Sequence, residues 1–209
     1  MSQATNNFLD TIAISRVVVV LRHITLNQCE EYIALLEEND LNTIEITLNS
    51  INAFESIEFI AKKFPKINLG AGTVVKKNSI NKLSDLGVKF IVSPDTNPEI
   101  ITETLKKNLV SIPGFYTATE AFNAIKYGST ILKFFPASQN GMKLINDYSA
   151  VLPSNIHIIP TGGINKENIK QFLSKTIAVG IGNSLFSSNI SLSEFSDRIK
   201  NIKTLLNDK

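Results

Sequence analysis

The sequence predicts an α/β fold, a single (β/α)8 TIM barrel preceded by a short helix, and three observations predict it. Eight short apolar segments of strand-like composition are spread along the 209 residues. Each is followed by a segment with helical spacing, and glycine or proline marks many of the junctions. The apolar segments run continuously instead of alternating with polar residues, as strands covered on both faces do, which calls for a parallel sheet wrapped in helices. An open doubly wound sheet shares these features, but eight units favour closure.

The elements follow in order. Residues 5–14 carry Phe8, Leu9 and Ile12 on one side and predict the leading helix. Residues 16–22 are a β-branched run, the first strand, and Thr25 is placed to cap a helix over 26–38. The second strand spans 43–48, and an amphipathic helix over 53–64 ends at Pro65. Residues 67–74 form the third strand, with Gly70, Ala71, Gly72 and Thr73, before a helix over 78–86 stopped by Gly87. The fourth strand is 90–94, followed by a helix over 97–107 with Pro98 in its first turn. The fifth strand is 109–114, with a helix over 119–127 closed by Gly128. The sixth strand is 131–136, followed by a helical or irregular stretch over 141–151. The seventh is 156–161, ending in Gly162 and Gly163, with a helix over 165–173. The eighth is 177–182, and a helix over 192–206 closes the chain. No linker or low-complexity tract divides residues 1–209, which read as one domain.

Composition narrows the function. With 43% hydrophobic and 19% charged residues the chain is an ordinary globular protein, and a net charge of +2 without a basic run gives no footprint for nucleic acid. A lone cysteine, Cys29, forms no internal disulfide, and no Cys/His cluster suggests a metal. The polar first ten residues lack a signal-peptide core, and no apolar segment approaches the roughly 20 residues of a membrane span. A cytoplasmic protein without membrane or nucleic-acid partners is expected.

In such barrels the chemistry gathers where strands end at the C-terminal face. There the polar residues are Arg22, Glu45, Thr47, Thr73, Lys133, Thr161 and Ser184. Lys133 sits within the apolar run 131–136, where its amine loses hydration. It reads either as a structural ion pair or as a nucleophile poised to condense with a carbonyl. Glu45, between Ile44 and Ile46, points inward if those two face the helices, and a carboxylate buried there needs a partner. Lys133 is the available cation, so the pair is either a brace or a nucleophile with its general acid/base. Gly162-Gly163 and Gly182-Asn183-Ser184 can turn backbone N–H groups toward an anion, after the strands where many barrels hold phosphate. A small phosphorylated carbonyl compound is the implied substrate. His23 reads as a loop residue, His157 as structural, Cys29 as a packed helix residue, and Lys76 and Lys77 as solvated surface. Tyr116 and Thr117, after the fifth strand, give a poor signal.

Six motifs at strand ends occur together: Ile44-Glu45-Ile46-Thr47-Leu48, Gly70-Ala71-Gly72-Thr73-Val74, Phe90-Ile91-Val92-Ser93-Pro94, Ile112-Pro113-Gly114, Leu132-Lys133-Phe134-Phe135-Pro136 and Pro160-Thr161-Gly162-Gly163-Ile164. From about residue 16 to 186 the chain resembles the bacterial 2-keto-3-deoxy-6-phosphogluconate aldolase family, which also includes 6-phosphogalactonate and 4-hydroxy-2-oxoglutarate aldolases. The resemblance implies a class I aldolase without metal or cofactor, and a homotrimer. It implies that Lys133 forms the Schiff base and Glu45 is the general acid/base. It further implies that Arg22 holds the substrate carboxylate, that Thr73 and Pro94 line the pyruvyl pocket, and that Phe135 flanks the imine. Thr161 then lies near the aldehyde half, and Gly162, Gly163 and Ser184 contact phosphate.

The family's branches differ in ways that bear on substrate. Some gluconate-type members have an arginine after the second strand, where this chain has Asn49, which shifts weight onto Arg22. Leu48-Asn49-Ser50 and residues 117–122 look like the galactonate branch, which tends to have valine where this chain has Thr161. Thr161 is nearest the distinguishing stereocentre, so cleavage of the gluconate substrate to pyruvate and glyceraldehyde 3-phosphate is expected, with the galactonate as the alternative and 4-hydroxy-2-oxoglutarate as a further substrate. A phosphosugar isomerase or epimerase, or a non-catalytic sugar-phosphate binder, would share the glycine loops without needing a lysine deep in the sixth strand.

Overall fold

The run Val17–Leu21 is buried at all five positions, as a β-branched segment without alternation requires. It is strand β1 of the computed structural model, which describes residues 2–138 and 140–207. The expected domain of residues 1–209 also takes in Met1, Gln139, Asp208 and Lys209, which lie outside the described residues. Strands β2 (Thr43–Thr47), β3 (Asn68–Gly72), β4 (Phe90–Val92) and β5 (Val110–Ile112) follow, all parallel. With β9 (Val179–Ile181) they form a six-stranded sheet in the order β5-β4-β3-β2-β1-β9. A second parallel sheet holds β6 (Gly114–Phe115), β7 (Ile131–Phe134) and β8 (His157–Pro160) in that order.

The expected fifth strand is thus split into β5 and β6 at Pro113, which has no N–H to give to a ladder. Its carbonyl still accepts from the Lys133 N–H at 2.9 Å, so the chain passes from one sheet to the other without a gap in the hydrogen bonding. On the far side an isolated parallel bridge between Thr161 and Gly180 joins the end of β8 to β9. The result is a curled, parallel α/β fold.

Helices α1 (Gln3–Ser15), α2 (Leu26–Glu38), α3 (Ala53–Lys63), α4 (Ser79–Asp85), α5 (Pro98–Lys106), α6 (Ala118–Lys126), α7 (Gly141–Ser149), α8 (Ile169–Leu173) and α9 (Leu192–Asn207) complete the chain. Among the described residues none is long and apolar enough to cross a membrane. Helix α8 begins four residues later than expected. Asn165 Oδ1 accepts from the N–H of Glu167 and Asn168, and Asn168 Oδ1 from that of Asn165. These side chains offer the backbone a turn in place of a helix.

Two apolar layers follow from strand alternation. Val17, Val19, Leu21, Ile44, Ile46, Leu132 and Phe134 face the helices. Val18, Phe90, Val110, Ile131 and Ala178 fill the interior toward the strands' N-terminal ends, and Val92, Ile112 and Ile159 belong to the same cluster further along. Phe8 and Ile12 of α1 close that end, with the Phe8 ring 5.1 Å from Phe90 in an edge-on contact. The chain's polar interior lies at the other end.

Candidate active site

Lys133 alternates with Leu132 and Phe134, which face outward, so its side chain enters the interior above Ile131. It is 7% exposed, and among the described residues its amine has neither a hydrogen bond nor an ion pair. The Nζ lies 5.3 Å from the centre of the Phe135 ring, which is 42% exposed at the mouth. A desolvated amine over an aromatic face is held in place without a carboxylate to occupy it.

Glu45 is 2% exposed, and its Oε1 is buried without a hydrogen-bond partner among the described residues. No ion pair joins it to Lys133 among those residues, which corrects the expectation of a direct Glu–Lys pair. Strand order supplies the reason. Between β2 and β7 stand β1, β9 and β8, so the two side chains come from strands that are not neighbours. Glu45 also lies across β3: a Cβ on Gly72 would coincide with its carboxylate, and one on Gly70 would enter the Phe90 ring. The Gly70-Ala71-Gly72 run therefore clears space for one carboxylate and one core ring.

Around Lys133, at the C-terminal ends of β1, β7, β8 and β9, is a cavity of about 500 Å³. Of the expected residues, Arg22, Lys133, Phe135, Thr161, Gly162, Gly163 and Ser184 line it. Glu45, Thr73 and Pro94 do not. Thr73 follows β3 with φ 55°, and Pro94 follows β4 with its carbonyl packed under Gly114. Sequence reasoning missed Val20, Ile164, Asn165 and Gly180 among the lining residues. The inward faces of a continuous valine run are not marked in sequence, and Asn165 falls in the segment expected to be a helix. Arg22 follows β1, and among the described residues its guanidinium has no hydrogen bond or ion pair.

Thr161 lies over Gly180, where a Cβ would collide with its side chain, and its hydroxyl is 3.4 Å from the Ile159 carbonyl. Gly162 and Gly163 have φ of 87° and 78°, and a Cβ on Gly162 would come within 2.8 Å of the Phe135 ring. The carbonyls of both glycine loops are tied back. Gly162 O accepts from Ala137 N–H, Gly163 O from Asn168 Nδ2, Ile164 O from Ser184 Oγ at 2.6 Å, and Asn183 O from Arg198 at 3.2 Å. A trans peptide carries its N–H opposite its C=O. The N–H groups of Gly163, Ile164 and Ser184 are therefore directed away from these anchors. Any anion held there meets loop amides, since five-residue α8 begins only at Ile169.

Other titratable residues stand apart from this cavity. Burial pushes the Cys29 thiol up, with a lesser opposing effect from Ser56. Desolvation pushes His157, at the far end of β8, below its ordinary value. Tyr116 stacks on Phe134 at 5.4 Å with its ring half exposed.

A lysine held unpaired in the wall of a parallel α/β fold, with a buried carboxylate on a strand that is not its neighbour, is the arrangement expected of lyases that work through an imine. The chain belongs to the KDPG and KHG aldolase family, whose model matches residues 9–202. It is 35% identical over 183 residues to the probable 2-dehydro-3-deoxy-6-phosphogalactonate aldolase of Rhizobium meliloti, covering 87% of this chain and 86% of that one. Among solved structures it is similar to native KDPGal, with a TM-score of 0.89, 30% identity, and coverage of 92% and 94%. It is also similar to the KDPG aldolase of Legionella pneumophila with pyruvate captured as a covalent carbinolamine, with a TM-score of 0.82, 25% identity, and coverage of 98% and 96%. The protein is accordingly an aldolase, a carbon–carbon lyase.

Proposed function

We propose that this aldolase cleaves a 2-keto-3-deoxy-6-phospho sugar acid to pyruvate and glyceraldehyde 3-phosphate, with Lys133 as the nucleophile. The observation that carries the proposal is the buried, unpaired Lys133 amine in a cavity it shares with an unpaired Arg22 and two glycine loops. Lys133 adds to the C2 ketone, and loss of water gives the protonated imine. Glu45, through a water, moves the protons of that dehydration and then accepts the C4 hydroxyl proton. The C3–C4 bond breaks, its electron pair enters the imine as an enamine, and glyceraldehyde 3-phosphate leaves. Protonation of C3 and addition of water release pyruvate and the free amine. Arg22 holds the substrate carboxylate through its planar fork, and Phe135 shields one face of the imine. Thr73 and Pro94 shape the pyruvyl side, and the Gly162–Ile164 and Ser184 amides receive the phosphate.

The stereochemical preference draws on two supports that divide. Thr161 favours the gluconate substrate, while the names of the Rhizobium relative and the KDPGal structure favour the galactonate. Galactonate carries more weight, because similarity over most of the chain outweighs one hydroxyl directed toward its own strand at Ile159. Pyruvate release measured side by side from both substrates and from 4-hydroxy-2-oxoglutarate tests this. Equal release from both sugar acids would remove stereochemical selection from the proposal, and release from neither would remove the proposal.

The two sheets read best as one closed eight-stranded (β/α)8 barrel forming a single domain. Pro113 alone interrupts one seam, and the Thr161–Gly180 bridge spans the other. The homotrimer is carried over from the family resemblance, and sedimentation equilibrium tests it: a monomer would exclude it.

A further inference from the structure

The Arg22 guanidinium can hold a carboxylate only if the turn that carries it is fixed, and the sheet does not extend far enough to fix it. Pairing of β1 with β2 ends at Leu21 and Ile46. The next residue is Arg22, and the one after it, His23, sits at φ 62°, a left-handed conformation that residues other than glycine adopt at a cost. One contact from this turn reaches back to the strand carrying Glu45. The His23 N–H donates to Ser50 Oγ at 2.8 Å, and Ser50 Oγ lies 3.1 Å from Thr47 Oγ1 in a buried hydroxyl pair. The Ser50 N–H in turn donates to the Thr47 carbonyl at 3.0 Å. Thr47 is tied into the sheet. It is fully buried at the end of β2, two residues past Glu45, and the adjoining Leu48 N–H continues the ladder to the Gly72 carbonyl at 2.8 Å.

We propose that Ser50 is a positioning residue for Arg22: its hydroxyl locks the Arg22–His23 turn to β2, holding the guanidinium over the Lys133 cavity in fixed relation to Glu45. Ser50 itself does not line that cavity, so it acts through Arg22 and not on the substrate. The inference rests on the reading of Arg22 as the carboxylate ligand. Without the Ser50 hydroxyl, the His23 N–H loses its acceptor, the left-handed turn loses its restraint, and the guanidinium samples positions that do not face the carboxylate. Binding of the keto acid then weakens, while the amine at Lys133 stays intact.

The test is borohydride trapping on the full chain over a range of pyruvate concentrations, read by intact mass, with thermal unfolding alongside. Ser50→Ala should raise the half-saturating pyruvate about five- to tenfold, the factor one ordinary hydrogen bond supplies, while adduct at saturation is unchanged. Ser50→Thr keeps the hydroxyl and should stay within about threefold of the wild type. The Arg22→Ala/Ser50→Ala double variant should be no worse than Arg22→Ala alone, because the serine acts through the arginine. An unchanged half-saturation in Ser50→Ala, or losses that multiply in the double variant, overturns the inference while leaving the aldolase reading intact. Arg22→Ala without effect overturns the inference together with the carboxylate assignment. If Ser50→Ala does not fold, Thr47→Val removes the other hydroxyl of the pair and should raise half-saturation about threefold; no change there overturns the inference.

Discussion

The two ends of the sheet interior are built from the same strands, one pleat apart, and do opposite things. On β7, Ile131 faces the closed end and Lys133 the open one. Ile159 of β8 is followed by Thr161 just past the strand, and Ala178 just before β9 is followed by Gly180 within it. The lower layer is apolar and plugged by Phe8 from α1. The upper layer buries an amine without a partner and a carboxylate with an orphaned oxygen. Both are costly to bury, so the upper end is tolerated because the lower end and the outer layer stabilise the fold. Substitutions that exchange loss of activity for loss of stability can separate the two ends.

The largest expected effect belongs to the upper layer. Lys133→Met should lower pyruvate release by about four orders of magnitude or more. The unfolding midpoint should be equal to or above that of the wild type, since an uncompensated polar group is removed from the core. Activity within tenfold of the wild type would mean that the Lys133 amine is not the reacting group. Glu45→Gln should lower turnover by about 10²- to 10⁴-fold, the usual worth of a general acid/base, without loss of stability by denaturant titration. Gly72→Ala sharpens the same point from the neighbouring strand. Its Cβ occupies the space of the Glu45 carboxylate, so turnover should fall although no reacting group has changed. Full activity would mean that Glu45 need not lie across Gly72.

At the lower end the signs reverse. Phe8→Ala removes a buried ring from contact with Phe90 and should cost about 3–5 kcal/mol in urea unfolding. Its kcat/KM at 25 °C should stay at the wild-type value, and a parallel fall in kcat would mean the two ends are coupled. The smallest effect concerns pH. Desolvation holds His157 below its ordinary value of 6.5 in the folded chain. As pH falls through 6.5 the unfolded state takes up a proton before the folded state does, so stability declines until the lower folded pKa is reached. Replacing His157 with Asn should flatten that decline slightly, measured as unfolding midpoints from pH 7 to 5, whereas superimposable curves would contradict it. The pH profile of catalysis should not move, because His157 lies at the far end of β8 from Lys133.

Much of this division could be read in the sequence, because continuous β-branched runs announce buried strands and a lysine among them stands out. Seven of the ten expected site residues line one cavity. Three features could not be read there, each for a physical reason. The distance between Glu45 and Lys133 depends on strand order, which no local pattern encodes. Val20 was hidden because five consecutive apolar residues do not mark the inward face. The late start of α8 depends on whether Asn165 and Asn168 cap or interrupt a helix, and their side chains here close a turn. The Ser50 bracket was equally invisible, since it joins residues 27 positions apart.

The proposed nucleophile is the unpaired amine of Lys133. Borohydride reduction in the presence of pyruvate, followed by peptide mapping, addresses it directly. A single adduct on Lys133, absent from Lys133→Met, is the result predicted; no adduct, or one carried by another lysine, would contradict it.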